Sequence, residues 1–205
     1  MTSFIAFLVA AVVLAITPGP GIAYVVARTV AGGRGEGLAS CAGTAAGGML
    51  HVLAAALGLS VLVAQSAIAF TLVKFVGAAY LVFLGVRLLL RRQETTNLPA
   101  TVAQGARRAF REGVLVEALN VKTALFFLAF LPQFASTSSP LLPQLVLLGT
   151  VCVALNTLVD VFAVAAAHRL LRSDGARAVR ACWLNSFSGV TMIVLGAWLA
   201  VARRP

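Results

Sequence analysis

The sequence predicts an all-α integral membrane protein with six transmembrane helices. Three observations carry that expectation. Of 205 residues, 60% are hydrophobic and 11% charged, against roughly 25% charged in a soluble domain. The apolar residues form six long runs, each near the about 20 residues that span a bilayer. Twelve of the sixteen Lys and Arg residues sit in alternate connections between those runs. A chain this apolar needs lipid over most of its surface, and no stretch is long and polar enough for a separate soluble domain.

The six segments are Phe4–Arg28, Gly37–Gln65, Ala67–Leu90, Gly113–Pro132, Leu142–Ala167 and Trp183–Ala202. Their length, their Ala and Leu content and the lack of period-two alternation exclude strands. The first run lacks a basic flank and five more follow it, so it is a span and not a signal peptide. Arg28 and Arg34, then Arg87 to Arg111, then Arg169 to Arg180 mark one face of the membrane as cytoplasmic, with the amino end outside. Arg203 and Arg204 at the other end disagree with that rule. Trp183 and Trp198 suit interfacial anchors or ordinary lipid-facing aromatics.

The net charge of +10 is explained by this topology, and no basic patch with interleaved aromatics points to nucleic acid. Cys41, Cys152 and Cys182 lack metal-site or disulfide spacing and read as free thiols. One transmembrane domain, 1–205, is expected. A polar cytoplasmic link at 91–112 divides it into halves 1–90 and 113–205. Three spans per half give the halves opposite sense, the prerequisite for an inverted repeat with broken first helices.

Four features do not belong in lipid. Thr17, Pro18, Gly19, Pro20 and Gly21 interrupt the first run, where two prolines remove backbone donors. The run reads as a broken helix beside a polar cavity, or as a packing kink. Glu117, Asn120 and Lys122 fall in the fourth segment, where a central Lys costs about 2.5–3.5 kcal/mol. On a regular helix Lys122 points about 140° away from Glu117. Either it faces another helix, or the segment breaks near Asn120, or both charges sit at the cytoplasmic interface. In the fifth segment Gly149, Cys152, Asn156, Asp160 and Ala167 share a stripe, and Lys122 is the expected partner of Asp160. In the second, Gly43 and Gly47 form a GxxxG packing face that also permits a homodimer. His51 on that stripe is a hydrogen-bonded packing residue or a proton relay, and Asn185, Gly189 and Gly196 form a further small-residue face.

These segments resemble the lysine exporter (LysE/RhtB) family of bacterial amino-acid efflux carriers. The resemblance rests on LAITPGPGIAYVVAR (14–28), VKFVGAAYLVFLGVRLL (73–89), ALNVKTALFFLAFLPQF (118–134), LVD (158–160) and LNSFSGVTMIVLG (184–196). It implies six spans and proton-driven efflux of small amino acids or related metabolites. Carried over by position, it marks Pro18, Gly19, Pro20, Asn120, Lys122 and Asp160. The sequence departs from the family pattern at Gly21, where Asn is frequent, at Gly48, where an acid often precedes the histidine, and at Val121, where proline is common.

The resulting expectation is an alternating-access exporter in the bacterial plasma membrane. Thr17, Pro18, Gly19, Pro20, Gly21, Asn120, Lys122 and Asp160 would bind substrate, and Asp160, Glu117 and His51 would couple protons. The partners are a small-molecule substrate, the proton and the lipid bilayer; no cofactor or metal is called for. A passive channel is the alternative. A membrane-embedded enzyme is a weaker one, because the chain has no HExxH or GxSxG pattern.

Overall fold

A computed structural model of the chain describes residues 2–65, 67–90, 102–136, 139–170 and scattered positions between 190 and 201. Every regular element among the described residues is helical. Helix α1 (Thr2–Ile16) is followed by α2 (Pro20–Gln65), α3 (Ala67–Leu90), α4 (Ala106–Ala118) and α5 (Val121–Leu125). A π-turn at Phe126–Phe130 and a 3-10 turn at Leu131–Phe134 extend α5, and α6 (Leu141–Leu170) comes next. Pro20–Gly58 and Leu141–Ala167 are long and apolar enough to cross a membrane. The pair Ala106–Ala118 and Val121–Phe134, bent by 45°, makes a third crossing if it is one span. The sixth expected segment, with Trp183, Asn185, Gly189 and Trp198, lies mostly outside the described residues, as does Cys182. Its Gly196 packs on α3, since an added Cβ would lie 2.8 Å from Ala78 O.

Helix α2 is not straight. At Gly33 the backbone takes φ 75°, ψ −169°, a left-handed φ that glycine adopts at no steric cost. On a straight helix Thr29 and Gly37 would be about 12 Å apart along the axis. Here a Cβ on Gly37 would collide with Thr29 Oγ1, so the two arms fold back on each other. Val25 from one arm, Cys41 from the other and Val164 of α6 close a small buried cluster at this end.

The second arm packs on α4 backbone to backbone. A Cβ on Gly43 would run into Phe110 O, one on Gly47 would lie 2.6 Å from Val114 O, and one on Gly113 2.9 Å from Ser40 O. The GxxxG face is therefore filled within the chain and offers nothing to a second copy. Helix α4 also begins earlier than Gly113, taking in residues assigned by composition to the polar link. It is amphipathic: Arg107, Arg108 and Arg111 are exposed while Ala109 and Gly113 are buried. A window average hides a helix whose three arginines all lie on the exposed side. The main core lies toward the far end from Gly33, where Phe126, Phe127, Phe130 and Leu131 pack with Phe7, Leu14, Val52 and Leu145.

Buried charges fasten α4 to both arms of α2, through Arg28 on the first and Glu36 on the second. Glu36 Oε1 accepts from Gln104 N at 2.7 Å and Gly105 N at 2.6 Å, holding the chain just ahead of α4. Arg28 lies between Glu36 (3.6 Å) and Glu112 (3.5 Å) and donates to Val102 O. Tyr24 donates to Ala109 O at 2.9 Å. Removing one member of a buried ion pair costs about 3–5 kcal/mol because the partner is left desolvated. Glu36→Gln is thus expected to destabilise the detergent-solubilised protein by an amount of that order. Gly47→Leu, which forces α4 away from α2, should lower the thermal midpoint as well, and unchanged melting of either variant would contradict this packing.

Candidate functional site

The site begins where α1 stops. Pro18 has no N–H, so the Leu14 carbonyl loses the donor that a continuing helix would supply. Thr17 turns its own N–H back to Val13 O at 3.1 Å, and its hydroxyl to the same carbonyl at 2.6 Å. Pro20 then opens α2, a position where a missing N–H costs nothing. The open carbonyls are met from the other half of the chain. Lys122 Nζ donates to Thr17 O at 2.8 Å and Leu14 O at 3.2 Å. A cation thus sits at the negative end of α1. Gly19 leaves room for it, since a Cβ there would lie 3.1 Å from Lys122 Nζ.

The second break places that lysine. Helix α4 ends at Ala118, and Asn120 caps α5 by accepting from Lys122 N at 3.1 Å. Asn120 Nδ2 also donates to Glu117 Oε2 at 2.9 Å, and Thr123 Oγ1 to Glu117 Oε1 at 2.6 Å. His51 Nε2 lies 2.8 Å from Glu117 O. A carbonyl only accepts, so that nitrogen carries a proton. His51 is thereby tied to the break and does not line the cavity. The segment breaks near Asn120, and Lys122 also faces another helix, α1. With α4 and α5 as separate bent helices, both side chains reach the same hollow.

Helices α6 and α2 complete the wall. Thr44 Oγ1 lies 3.0 Å from both Asp160 Oδ2 and Cys41 O. One hydroxyl hydrogen cannot serve both, so Thr44 chooses between them. Asp160, Lys122, Glu117, Asn120, Thr17 and Thr44 are all buried. Together with Gly19, Gly21, Asn156 and Thr157 they line one cavity of ≈ 30 Å³. That space admits one or two waters and is too small for an amino acid.

Most sequence-predicted residues converge here: Thr17, Gly19, Gly21, Asn120, Lys122, Glu117 and Asp160 all line the cavity. Pro18 and Pro20 do not; Pro20 is exposed, and both act by breaking the helix. The expected direct contact between Lys122 and Asp160 is not made, and no ion pair joins them among the described residues. The ammonium is drawn instead to the open carbonyls of α1, while Asp160 is held by Thr44. Sequence reasoning missed Thr44, Thr123 and Thr157, since a threonine in an apolar run gives no signal unless its facing helix is known. It also missed the Arg28–Glu36 pair, because both residues sit beside a helix turn and looked solvated. Both glycines at departures from the family pattern, Gly21 and Gly48, line the cavity. A Cβ on Gly21 would lie 2.6 Å from Glu117 Oε2, so the bare backbone here lets the carboxylate come close.

Comparison with known proteins leads to the same region. An uncharacterized membrane protein of Vibrio cholerae serotype O1 is 33% identical over 156 residues, 76% of either chain. The homoserine/homoserine lactone efflux protein of Salmonella typhi is 29% identical over 199 residues, 97% of this chain and 96% of its own length. An uncharacterized membrane protein of Bacillus subtilis is 31% identical over 173 residues, covering 80% of this chain and 82% of that one. No solved structure matches the chain significantly. Residues 12–203, which include both helix breaks and every cavity-lining residue, match the LysE type translocator family, and the chain belongs to it.

Proposed function

We propose that the chain is a proton-gradient-driven exporter of small amino acids or related metabolites in the bacterial plasma membrane. One observation carries the reading: two helix breaks, one ammonium and two carboxylates surround a single small cavity. Six crossings with the amino end outside put that cavity near the membrane midplane. The breaks lie in the first helix of each half, which suits an inverted repeat.

The chemistry follows from the geometry. Lys122 spends two of its three hydrogens on α1 and keeps one for a substrate carboxylate. The first turn of α2 adds N–H groups without intrahelical acceptors at Gly21 and Ile22. Asp160 opposite accepts the substrate ammonium or a proton, and competition between the two is the minimum requirement for antiport. When Asp160 binds a proton, Thr44 is released to Cys41 O. Glu117 is a further proton carrier, with His51 holding its backbone.

A cavity with room for only one or two waters corresponds to a closed stage of the cycle. Substrate entry then requires α1 and α4 to part, which alternating access supplies. A passive channel would need a continuous water-filled path, which a cavity of ≈ 30 Å³ is too small to supply. An enzyme would need a reacting pair, whereas each carboxylate here is held by hydroxyl or amide donors and no nucleophile stands activated beside it.

The test uses purified protein in proteoliposomes with an imposed pH gradient. Homoserine and its lactone, the solutes in the Salmonella relative's name, serve as first probes. Asp160→Asn should abolish gradient-driven transport while the protein stays folded; transport at the wild-type rate would refute the assignment. Thr44→Val should slow transport by roughly tenfold, the equivalent of one hydrogen bond of about 1–1.5 kcal/mol. Lys122→Met should lose transport and melt earlier, because Thr17 O loses its donor, at about 1–3 kcal/mol, and Leu14 O keeps only the 3.3 Å bond from Thr17 N.

A further inference from the structure

We propose that the outer face of α4 binds the headgroup of an anionic phospholipid. Arg107, Arg111, Leu115 and Leu119 follow one another at four-residue steps, which puts them on one face of α4. All four are exposed, Leu115 at 61% and Leu119 at 77%. The stripe therefore changes from two guanidiniums to two bare leucines along its length. Arg107, Arg108, Arg111, Glu112 and Leu115 are among the residues that line a surface hollow of ≈ 650 Å³.

Local charge favours an anion. Arg28, Arg107, Arg108 and Arg111 face two carboxylates, Glu36 and Glu112, which leaves two positive charges in excess. Arg28 and Arg108 take those carboxylates: Arg108 Nε donates to Glu112 Oε1 at 2.8 Å, and Arg28 lies between Glu112 and Glu36. Among the described residues no acidic partner reaches Arg107 or Arg111. The backbone just ahead of α4 is not the attractor, because Glu36 already takes the N–H groups of Gln104 and Gly105.

Depth selects the source of the phosphate, and this step rests on the membrane placement proposed above. With the cavity at the midplane, an untilted helix carries Arg111 about 13 Å and Arg107 about 20 Å from Asn120. The hydrocarbon half-thickness is about 15 Å. The arginines therefore straddle the headgroup level, and Leu115 and Leu119 lie at acyl-chain depth. A ligand with a phosphodiester at one end and hydrocarbon at the other matches this order; a free phosphate or an acidic peptide uses only half of it.

The experiment measures lipid retention by the purified full-length chain, using native mass spectrometry after competition between phosphatidylglycerol and phosphatidylcholine. Wild type should retain phosphatidylglycerol preferentially. Each arginine replaced should lower that preference about 5-fold, and the pair about 25-fold. The variants are R107Q, R111Q and the double substitution, with R34Q as a basic control that keeps the preference. If the double variant does not fold, the single variants carry the same test. Equal retention of the two lipids by wild type overturns the proposal, as does an unchanged preference in the variants. Displacement of phosphatidylglycerol by millimolar inorganic phosphate also overturns it, by making the site one for a free anion. The readout needs no transport, so failure of the exporter reading leaves it standing.

Discussion

Everything in this protein's centre depends on one exchange of hydrogen bonds. Pro18 deprives α1 of its next backbone donor, and Lys122 from the other half replaces it at Leu14 O and Thr17 O. Each partner would be costly alone. A buried carbonyl without a donor loses about 1–3 kcal/mol, and an unpaired ammonium far from water loses more. Together they lock the end of α1 to the start of α5, so that two interruptions in regular structure support each other. The remaining polar groups follow from that lock: Asn120 must cap α5 to aim the lysine, and Glu117 must turn inward to receive Asn120 and Thr123.

Small residues and buried charges make this arrangement both tight and movable. Gly43, Gly47 and Gly113 bring α2 and α4 into backbone contact, so any shift of α4 is passed directly to Glu117 at its far end. The fastening at the other end is ionic. Arg28 Nε and Glu36 Oε2 lack hydrogen-bond partners despite their burial, and buried ion pairs contribute little net stability once desolvation is counted. Such a fastening holds α4 without making the closed arrangement deep. The π-turn at Phe126–Phe130 gives the other end of the broken pair a further irregular segment, of a kind frequent at functional sites.

Much of this was legible in the residues themselves. Proline and glycine at 17–21, a lysine in an apolar run and a lone aspartate in the fifth segment each announce a cost that structure must meet. Thr17, Gly19, Asn120, Lys122 and Asp160, each marked by such a cost, line one cavity. What could not be read was the pairing. Helical periodicity places a residue on a face but not opposite a particular partner, so Asp160 was matched to Lys122 by charge when a hydroxyl, Thr44, holds it. The start of α4 was missed because its arginines mask a first half whose buried side is only Ala109 and Gly113. The break at Gly33 marked a reversal inside what hydrogen bonding alone makes one long helix.

The central claim is that the cavity between the two breaks opens to each side of the membrane in turn. The most direct measurement places a single cysteine at Asn156, with Cys41, Cys152 and Cys182 replaced by serine. It follows labelling by a membrane-impermeant thiol reagent in right-side-out and inverted vesicles while the pH gradient is reversed. The account predicts labelling from both faces, with rates that shift in opposite directions when the gradient is reversed. Labelling from one face alone under every gradient would contradict it.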